Sequence, residues 1–256
     1  MLRVFFKICA FCLAFVMLMP MINVNAKEYY WYCKRNSEHK QPICDTDFSF
    51  IEKYGGLYVD VDHGDDDEEK VIYLTFDVGY ENGNVKKIVD VLRAENVKAS
   101  FFILGNLINR EPELVKQIAE DGHSVCNHTQ NHKNLTNASL ETFNKELTTL
   151  ENSYKELMGR EMSKFFRPPE GTFNEEMLKR AQSLGYRTVF WSFAYADWDN
   201  DKQMSEDVSM EKILSNLHNG EIMLLHPTSA TNAKIMSELI KELKSQGYRF
   251  ATLDEL

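Results

Sequence analysis

Asp77 is the residue whose position in this sequence most suggests chemistry. It directly follows the apolar run 71–76 and precedes Gly79 and Gly83, so a carboxylate stands where a buried strand ends in a flexible turn. Proteins of the α/β class place their reactive groups at such strand ends. A carboxylate here can act as a general base, or it can be a turn aspartate that accepts backbone N–H bonds. The residues at the ends of the other apolar runs decide between the two interpretations.

Later apolar runs also end near polar or ionisable residues. These residues are, in chain order, His128, His132, Arg167, Asp197 and His226. The spacing of His128 and His132 places two imidazoles on one face of a helical turn, an arrangement common among metal ligands and also frequent on protein surfaces. Taken singly, Arg167 could form a structural ion pair, Asp197 could cap a helix and His226 could be a hydrogen-bonded core residue. Their recurrence at strand ends favours one shared site.

Strand-like and helix-like segments alternate from residue 70 onwards. Apolar runs predict strands, and amphipathic stretches of helical period separate them. The predicted strands cover residues 71–76, 99–104, 124–127, 188–193, 222–225 and 250–253. This alternation predicts an α/β fold in which parallel strands form a distorted, partly open (β/α) barrel. The strand ends of such a barrel meet on one rim, which would bring the residues above into one pocket.

The chain before residue 70 has a different composition. Residues 1–26 combine Arg3 and Lys7 with an apolar region and a small-residue pattern, which predicts a secretory signal peptide. Residues 27–69 form an aromatic-rich, irregular extension that ends in an acidic linker, and residues 70–256 form the predicted catalytic domain. We expect the acidic stretch 60–70 to be a solvated loop, because its spacing does not match a calcium-binding EF-hand loop. We expect no transmembrane segment after cleavage of the signal peptide.

Charge and cysteine content narrow the possible functions. The sequence carries 29 basic and 39 acidic residues, and loss of the two basic residues of the signal peptide leaves a net charge of about −12. So acidic a protein is a poor candidate for binding nucleic acid. In an exported protein Cys33 and Cys44 could pair across a short loop or remain free, and Cys126 would be a small buried residue.

Five short motifs together resemble those of a known enzyme family. They read Thr-Phe-Asp-Val at 75–78, His-Thr-Gln-Asn-His at 128–132, Arg-Pro-Pro-Glu-Gly at 167–171, Ala-Asp-Trp at 196–198 and Leu-Leu-His at 224–226. In this order they resemble the motifs of the polysaccharide deacetylases of carbohydrate esterase family 4, also called the nodulation-protein-B homology domain. Together with Tyr-Glu-Asn-Gly at 80–83, they look most like the branch that deacetylates muramic acid during muramic δ-lactam formation in spore cortex.

The resemblance implies a role for each of four catalytic residues. Asp77 matches the general base that takes a proton from the attacking water, and Arg167 matches the partner that keeps this base ionised. His226 matches the general acid that protonates the departing amine. Asp197 matches the carboxylate that orients His226 and raises its pKa.

The resemblance also implies substrate contacts. The expected substrate-binding residues are Tyr80, Asn82, Glu170 and Trp198. A backbone N–H near Glu170 would stabilise the oxyanion that forms on the acetyl carbonyl. The ring of Trp198 would pack on the sugar or on the acetyl methyl group.

The metal site implied by the resemblance is incomplete. His128 and His132 match two ligands of a divalent metal, zinc or a similar ion, which would polarise the acetyl carbonyl. Most family members add an aspartate directly after the general base, but Val78 occupies that position here and cannot bind a metal. The lactam-forming branch also lacks that aspartate. We therefore expect weak metal binding, and a metal-free reaction stays open.

These features predict an exported hydrolase that removes the acetyl group of N-acetylmuramic acid in peptidoglycan strands. By resemblance, the enzyme would act beyond the cytoplasmic membrane, in the cell wall or the spore intermembrane space, after an amidase has removed the stem peptide. Three alternatives remain: a deacetylase of N-acetylglucosamine in peptidoglycan or chitin, a catalytically inactive glycan-binding homologue, and an unrelated metallohydrolase such as a peptidase. The complete acid–base set argues against the inactive homologue, because a binding protein has no need of it.

Overall fold

The computed structural model of the protein describes residues 27–36 and 38–256, so the predicted signal peptide lies outside the described residues. The strands are β1 Tyr29–Tyr30, β2 Cys33–Lys34, β3 Ile43–Cys44, β4 Lys70–Val78, β5 Ser100–Ile103, β6 Ser124–Asn127, β7 Phe165–Phe166, β8 Thr172–Phe173, β9 Arg187–Thr188, β10 Glu221–Leu225 and β11 Tyr248–Ala251. The helices are α1 Phe50–Lys53, α2 Val85–Ala94, α3 Gly105–Arg110, α4 Pro112–Glu120, α5 Leu140–Met158, α6 Glu175–Ser183, α7 Glu206–Leu214 and α8 Ala230–Ser245. None of these helices is both long enough and apolar enough to cross a bilayer.

Seven strands form one curved parallel sheet. Their order is β10-β4-β5-β6-β7-β9, and β11 pairs with the first half of β4. Each ladder in this sheet is parallel. Near the ends of the sheet, the single bridge Phe193–Met223 links the chain after β9 to β10 in place of a ladder. The prediction of a partly open (β/α) barrel is therefore confirmed.

Strand β4 is central because it is apolar on both faces. Its residues from Val71 to Phe76 are all buried, as expected for a strand covered by helices on one face and by the barrel interior on the other. Helix α2 covers part of it with Val85, Ile88 and Leu92, which recur at helical spacing. This packing fixes the end of β4, where Asp77 lies.

The predicted strand at 188–193 is wrong in its extent. Only Arg187–Thr188 belongs to a ladder, although the following residues are mostly buried. The chain then changes partners, because the Phe190 N–H donates to the Leu57 carbonyl (2.7 Å) and the Ser192 N–H donates to the Ile222 carbonyl (3.0 Å). Leu57 belongs to the N-terminal extension, whose insertion here could not be read from local apolar content.

The extension packs its aromatic residues on the barrel. Trp31 stacks on Phe190 with ring centroids 4.6 Å apart, and β1 pairs with β8. Cys33 and Cys44 lie opposite each other in the β2–β3 ladder as free thiols, and Cys126 is buried as expected.

The acidic stretch is only partly the solvated loop that we expected. Residues 65–70 are exposed. Asp60 is buried, and its carboxylate accepts hydrogen bonds from the Tyr73 hydroxyl (2.7 Å) and the His63 ring (2.6 Å). A buried carboxylate needs such donors, and neither partner is adjacent in sequence.

Candidate active site

A buried ion pair joins the ends of β4 and β7. Arg167, fully buried, donates from Nη1 to the Asp77 carboxylate (2.8 Å) and to the Thr75 hydroxyl (2.9 Å). Its remaining nitrogens donate to the carbonyls of Val189 (3.2 Å) and Phe190 (3.1 Å). These four acceptors fix the orientation of the guanidinium, and its positive charge lies beside the Asp77 carboxylate.

The ion pair decides the charge of Asp77. Burial alone would raise the pKa of the Asp77 carboxyl, but the Arg167 guanidinium, with the rings of His128 and His226, outweighs that effect and lowers it below its usual value. Burial lowers the pKa of Arg167, yet a guanidinium stays protonated at any physiological pH. Asp77 is consequently an ionised carboxylate with one oxygen bound by Arg167.

His226 and Asp197 form the second charged pair of the site. The Asp197 carboxylate accepts hydrogen bonds from His226 Nδ1 (2.7 Å), from the His226 backbone N–H (2.8 Å) and from Asn232 Nδ2 (2.7 Å). Burial would lower the pKa of His226, but the hydrogen bond and charge of Asp197, together with Asp77, raise it. Because Nδ1 is bound to Asp197, Nε2 is the ring nitrogen left for a substrate.

The two motif histidines lie on a loop rather than on the helical turn that their spacing predicted. Asn127 Oδ1 accepts the Thr129 N–H (2.9 Å) and Thr129 Oγ1 accepts the His132 N–H (2.9 Å), so side chains replace the helical backbone bonds. Thr129 and His132 both adopt positive φ, at 76° and 55°. The rings of His128 and His132 nevertheless approach to 5.0 Å between centroids.

His128 has its ring orientation fixed by the chain that carries Arg167. Its Nδ1 donates to the Arg167 carbonyl (2.8 Å), and its Nε2 lies 3.6 Å from the second oxygen of Asp77. Burial lowers the pKa of His128 to about 4, so the imidazole is neutral at physiological pH. A neutral imidazole with a free Nε2 is the form that binds metals.

The donors suit only a two-nitrogen metal site. No cluster of three histidine, cysteine, aspartate or glutamate side chains that could bind a metal occurs in the part of the chain described by the structure. Val78 is buried in the hydrophobic core. The imidazoles of His128 and His132 are thus the two nitrogen donors that this site offers a divalent ion, and Val78 adds none.

These residues line a cavity of about 570 Å³ on the rim formed by the strand ends. Its wall consists of Asp77, His128, His132, Glu170, Gly171, Trp191, Ala194, Tyr195, Trp198, Leu224 and His226. A second cavity, of about 360 Å³, shares five of these residues and adds Val78, Gly79, Tyr80, Leu104 and Thr228. The two cavities therefore form one continuous groove.

The expected substrate-binding residues differ in their placement. Trp198 is 60% exposed with its ring 6.0 Å from that of His226, and Tyr80 lies on the same side, where its hydroxyl accepts a hydrogen bond from Asn200 (3.0 Å). Glu170 lines the cavity from a tight turn with φ of 59°. Asn82 does not line the cavity, because its side chain donates to the Thr228 carbonyl (2.8 Å) and ties two loops together.

Comparison with known proteins decides the family. A polysaccharide deacetylase family model matches residues 64–189. The peptidoglycan-N-acetylmuramic acid deacetylase PdaA of Bacillus subtilis is 35% identical, over 97% of this chain and 94% of PdaA. The chain is a polysaccharide deacetylase. It belongs to carbohydrate esterase family 4, whose members hydrolyse N-acetyl amide bonds.

Solved structures agree with this assignment. The deacetylase superposes on the structure of Bacillus subtilis PdaA with a TM-score of 0.85 and 36% identity, over 91% of this chain and 97% of that one. The structure of the Bc1960 peptidoglycan N-acetylglucosamine deacetylase matches with a TM-score of 0.74 and 32% identity, over 82% and 96%. A peptidoglycan-N-acetylglucosamine deacetylase of Bacillus cereus is 33% identical, over 89% of this chain and 82% of the relative.

Several residues that build the site of this deacetylase were not predicted. Thr75 and Asn232 bind Arg167 and Asp197, and Trp191 and Tyr195 form an apolar wall. Thr75 stands two residues before Asp77 on β4, so strand alternation places both side chains on one face and could have identified it. Asn232 lies at the start of α8, far from Asp197 in sequence, and no local signal marks it.

Proposed function

We propose that this deacetylase removes the acetyl group of N-acetylmuramic acid in peptidoglycan strands that have lost their stem peptides. The observation that carries this proposal is the closer backbone agreement with PdaA, at a TM-score of 0.85, than with the Bc1960 N-acetylglucosamine deacetylase, at 0.74. Val78 supports it, because the lactam-forming branch resembled by the sequence also lacks an aspartate after the general base.

Asp77 acts as the general base in the proposed reaction. The oxygen of Asp77 that is not bound by Arg167 takes a proton from a water molecule, whose oxygen attacks the acetyl carbonyl. Arg167 keeps Asp77 ionised and ready to accept this proton. The carbonyl oxygen becomes negatively charged, and a backbone N–H near Glu170, which lines the cavity, donates to it.

His226 completes the reaction as the general acid. Its Nε2 proton passes to the amide nitrogen as the carbon–nitrogen bond breaks, so acetate and a free amine are released. Asp197 binds Nδ1, orients the ring and stabilises the imidazolium. Trp198, beside His226, packs against the sugar or the acetyl methyl group.

A divalent metal, zinc or a similar ion, is proposed as a weakly bound cofactor. The imidazoles of His128 and His132 would bind it, and when bound it would polarise the acetyl carbonyl. We expect His128→Ala to bind less zinc than the wild type in isothermal titration, whereas His39→Ala binds as much. Equal zinc binding by both variants would contradict this assignment.

The proposed substrate sets the place and order of the reaction. Peptidoglycan lies outside the cytoplasmic membrane, so the enzyme must be exported, which agrees with the signal peptide predicted at 1–26. An amidase must act first to free the lactyl carboxylate of its stem peptide. The amine left by deacetylation can then close a δ-lactam with that carboxylate.

Acetate release from purified glycan strands tests the deacetylase activity and its general base. We expect release by the wild type and by Asp201→Asn, an exposed loop aspartate, but loss of about 10²–10⁴-fold in Asp77→Asn. Folding of each variant is checked by circular dichroism. Full activity of folded Asp77→Asn would contradict the assigned base, and strand binding without any acetate release would favour the inactive glycan-binding alternative.

Deacetylation of N-acetylglucosamine is the second candidate. The observation that favours this second substrate is the 33% identity with the Bacillus cereus N-acetylglucosamine deacetylase, over 89% of this chain. Both sugars carry the same acetamido group, so the catalytic residues described above would serve either substrate. Identification of the deacetylated sugar separates the two.

A further inference from the structure

The N-terminal extension reaches the rim of the active-site groove. Strand β1 pairs antiparallel with β8, placing Tyr30 opposite Thr172. The next residue, Trp31, donates its backbone N–H to the Gly171 carbonyl (2.9 Å). Glu170 and Gly171 both line the cavity. A residue on β1 is therefore a direct neighbour of the turn that forms the groove wall.

Tyr29 and Tyr30 point to opposite faces of β1. Tyr29 packs into an aromatic cluster, with ring centroids 5.6 Å from those of Phe48, Phe50 and Phe173. Tyr30 is 64% exposed, and its ring meets no other aromatic ring among residues 27–36 and 38–256. The aromatic ring of Tyr30 is therefore exposed to solvent, and the packing of the extension on the barrel does not depend on it.

One hydrogen bond links the Tyr30 side chain to a carboxylate that other residues also bind. Its hydroxyl donates to Glu28 (3.1 Å), and the other carboxylate oxygen of Glu28 accepts from Asn134 Nδ2 (3.0 Å) and from the Thr136 hydroxyl. Asn134 and Thr136 lie on the loop that carries His132. Tyr30 is thus attached to the loop of the motif histidines as well as to the turn of Glu170.

The surroundings of Tyr30 also act on its phenol. The hydrogen bond to Glu28 is the main cause that raises the pKa of the Tyr30 phenol, and the carboxylate of Glu170 adds to it. Glu170 and Gly171 directly precede Thr172, the residue opposite Tyr30 in the β1–β8 ladder. Tyr30 is linked through Glu28 to the loop that follows β6, and through the β1–β8 ladder to the segment that follows β7, whereas Tyr80 follows β4 and Trp198 lies beside His226, which follows β10.

We propose that Tyr30 is a second sugar-stacking residue, which binds a pyranose ring next to the one that loses its acetyl group. The C–H face of a pyranose ring packs on an aromatic ring, and the exposed ring of Tyr30 is available for such a contact. This role rests on the substrate class of the proposed function, because its ligand is a glycan strand that extends beyond the sugar at the catalytic residues.

Kinetics on long and short substrates test this role. For Tyr30→Ala we expect KM to rise about three- to tenfold on long strands, with kcat and the kinetics on a single disaccharide unchanged. Tyr30→Phe keeps the ring and should retain most of the affinity. Equal effects of Tyr30→Ala on both substrates, or no effect on either, would overturn the proposal.

Tyr32 provides the matched control. It lies on the same extension, is 49% exposed and donates its hydroxyl to Asp45 (2.8 Å), but it packs on Phe48 away from Glu170. Tyr32→Ala should leave KM for long strands unchanged, and a rise equal to that of Tyr30→Ala would mean that the extension acts only through stability.

Binding separates failure of this role from failure of the proposed function. The dissociation constant for long strands is measured by isothermal titration in the wild type and in Tyr30→Ala. If the wild type releases no acetate but Tyr30→Ala still weakens binding, the proposed function fails and the stacking role stands. If acetate is released but Tyr30→Ala binds strands normally, only the stacking role fails.

Discussion

Strand β10 has a histidine–carboxylate pair at each end, and the two pairs differ in charge. At its carboxyl end, His226 donates to Asp197 over 2.7 Å, and its pKa is raised. At its amino end, His218 Nδ1 lies 3.4 Å from Glu221, but burial lowers the pKa of His218 and raises that of Glu221 well above its usual value. A histidine beside a carboxylate is thus favoured in its charged form on the rim, whereas burial disfavours the charges of both groups in the core.

Hydrogen bonds explain the difference. Asp197 accepts three N–H bonds, whereas among residues 27–36 and 38–256 Glu221 accepts one, from the His218 backbone (3.2 Å). His218 Nδ1 donates to the Asn216 carbonyl (2.9 Å), and its Nε2 is 2.9 Å from the Ser192 hydroxyl. A carboxylate without enough donors in a dry core takes up a proton instead. A histidine–carboxylate pair therefore indicates acid–base chemistry only where donors and solvent support its charges.

The largest expected difference between the pairs is in activity. Asp197→Asn removes the negative charge that orients His226 and stabilises its protonated form. We therefore expect kcat for acetate release to fall about 10²–10⁴-fold. Glu221→Gln replaces a protonated carboxyl by an amide of the same shape, so activity should stay within about twofold of the wild type. Similar losses in both folded variants would show that the two pairs do not differ in function.

The pH dependence gives the next effect. If His226 is the general acid, the rate falls as pH rises through its raised pKa, because the acid must be protonated. In Asp197→Asn this alkaline limb should move to lower pH, because the negative partner is gone. Histidine NMR titration should place His226 above the usual 6.5 and His218 below it. A shared pKa for both rings would remove the contrast.

The smallest expected effect is on stability. Native Glu221 keeps a proton that the unfolded chain loses above a pH of about 4.5, so its contribution to stability is lost as pH rises from there through the native pKa. In Glu221→Gln the amide does not titrate, so this variant does not lose stability in this way as pH rises. Its free energy of unfolding, relative to the wild type, should rise by up to about 1.4 kcal/mol per pH unit in that window, measured by urea titration. A pH-independent difference would mean that Glu221 is already ionised.

The sequence predicted much of the site because parallel strands impose a simple geometry. Apolar runs 71–76, 124–127 and 222–225 correspond closely to β4, β6 and β10, so the polar residues that come after them necessarily meet at one rim. Asp77, Arg167, His226 and the two motif histidines all line or support the same groove. Residue order along the chain was sufficient for this step.

Contacts between distant segments could not be predicted. The bonds of Arg167 to Thr75, Val189 and Phe190, the insertion of Leu57 beside Val189 and the pairing of β1 with β8 each depend on tertiary packing. The loop conformation at 128–132 was missed because Thr129 and Asn127 cap it with side-chain bonds, which spacing alone does not reveal. Nothing in local sequence separates His218, which is buried and neutral, from His226.

The most direct test of the proposed substrate is the mass spectrometric identification of the sugar that loses its acetyl group. Wild-type enzyme is incubated with peptide-free glycan strands and, in parallel, with intact peptidoglycan, and Asp77→Asn serves as the blank. The proposed function predicts deacetylated muramic acid from the peptide-free strands alone. Deacetylated glucosamine, or equal muramic deacetylation in intact peptidoglycan, would contradict it.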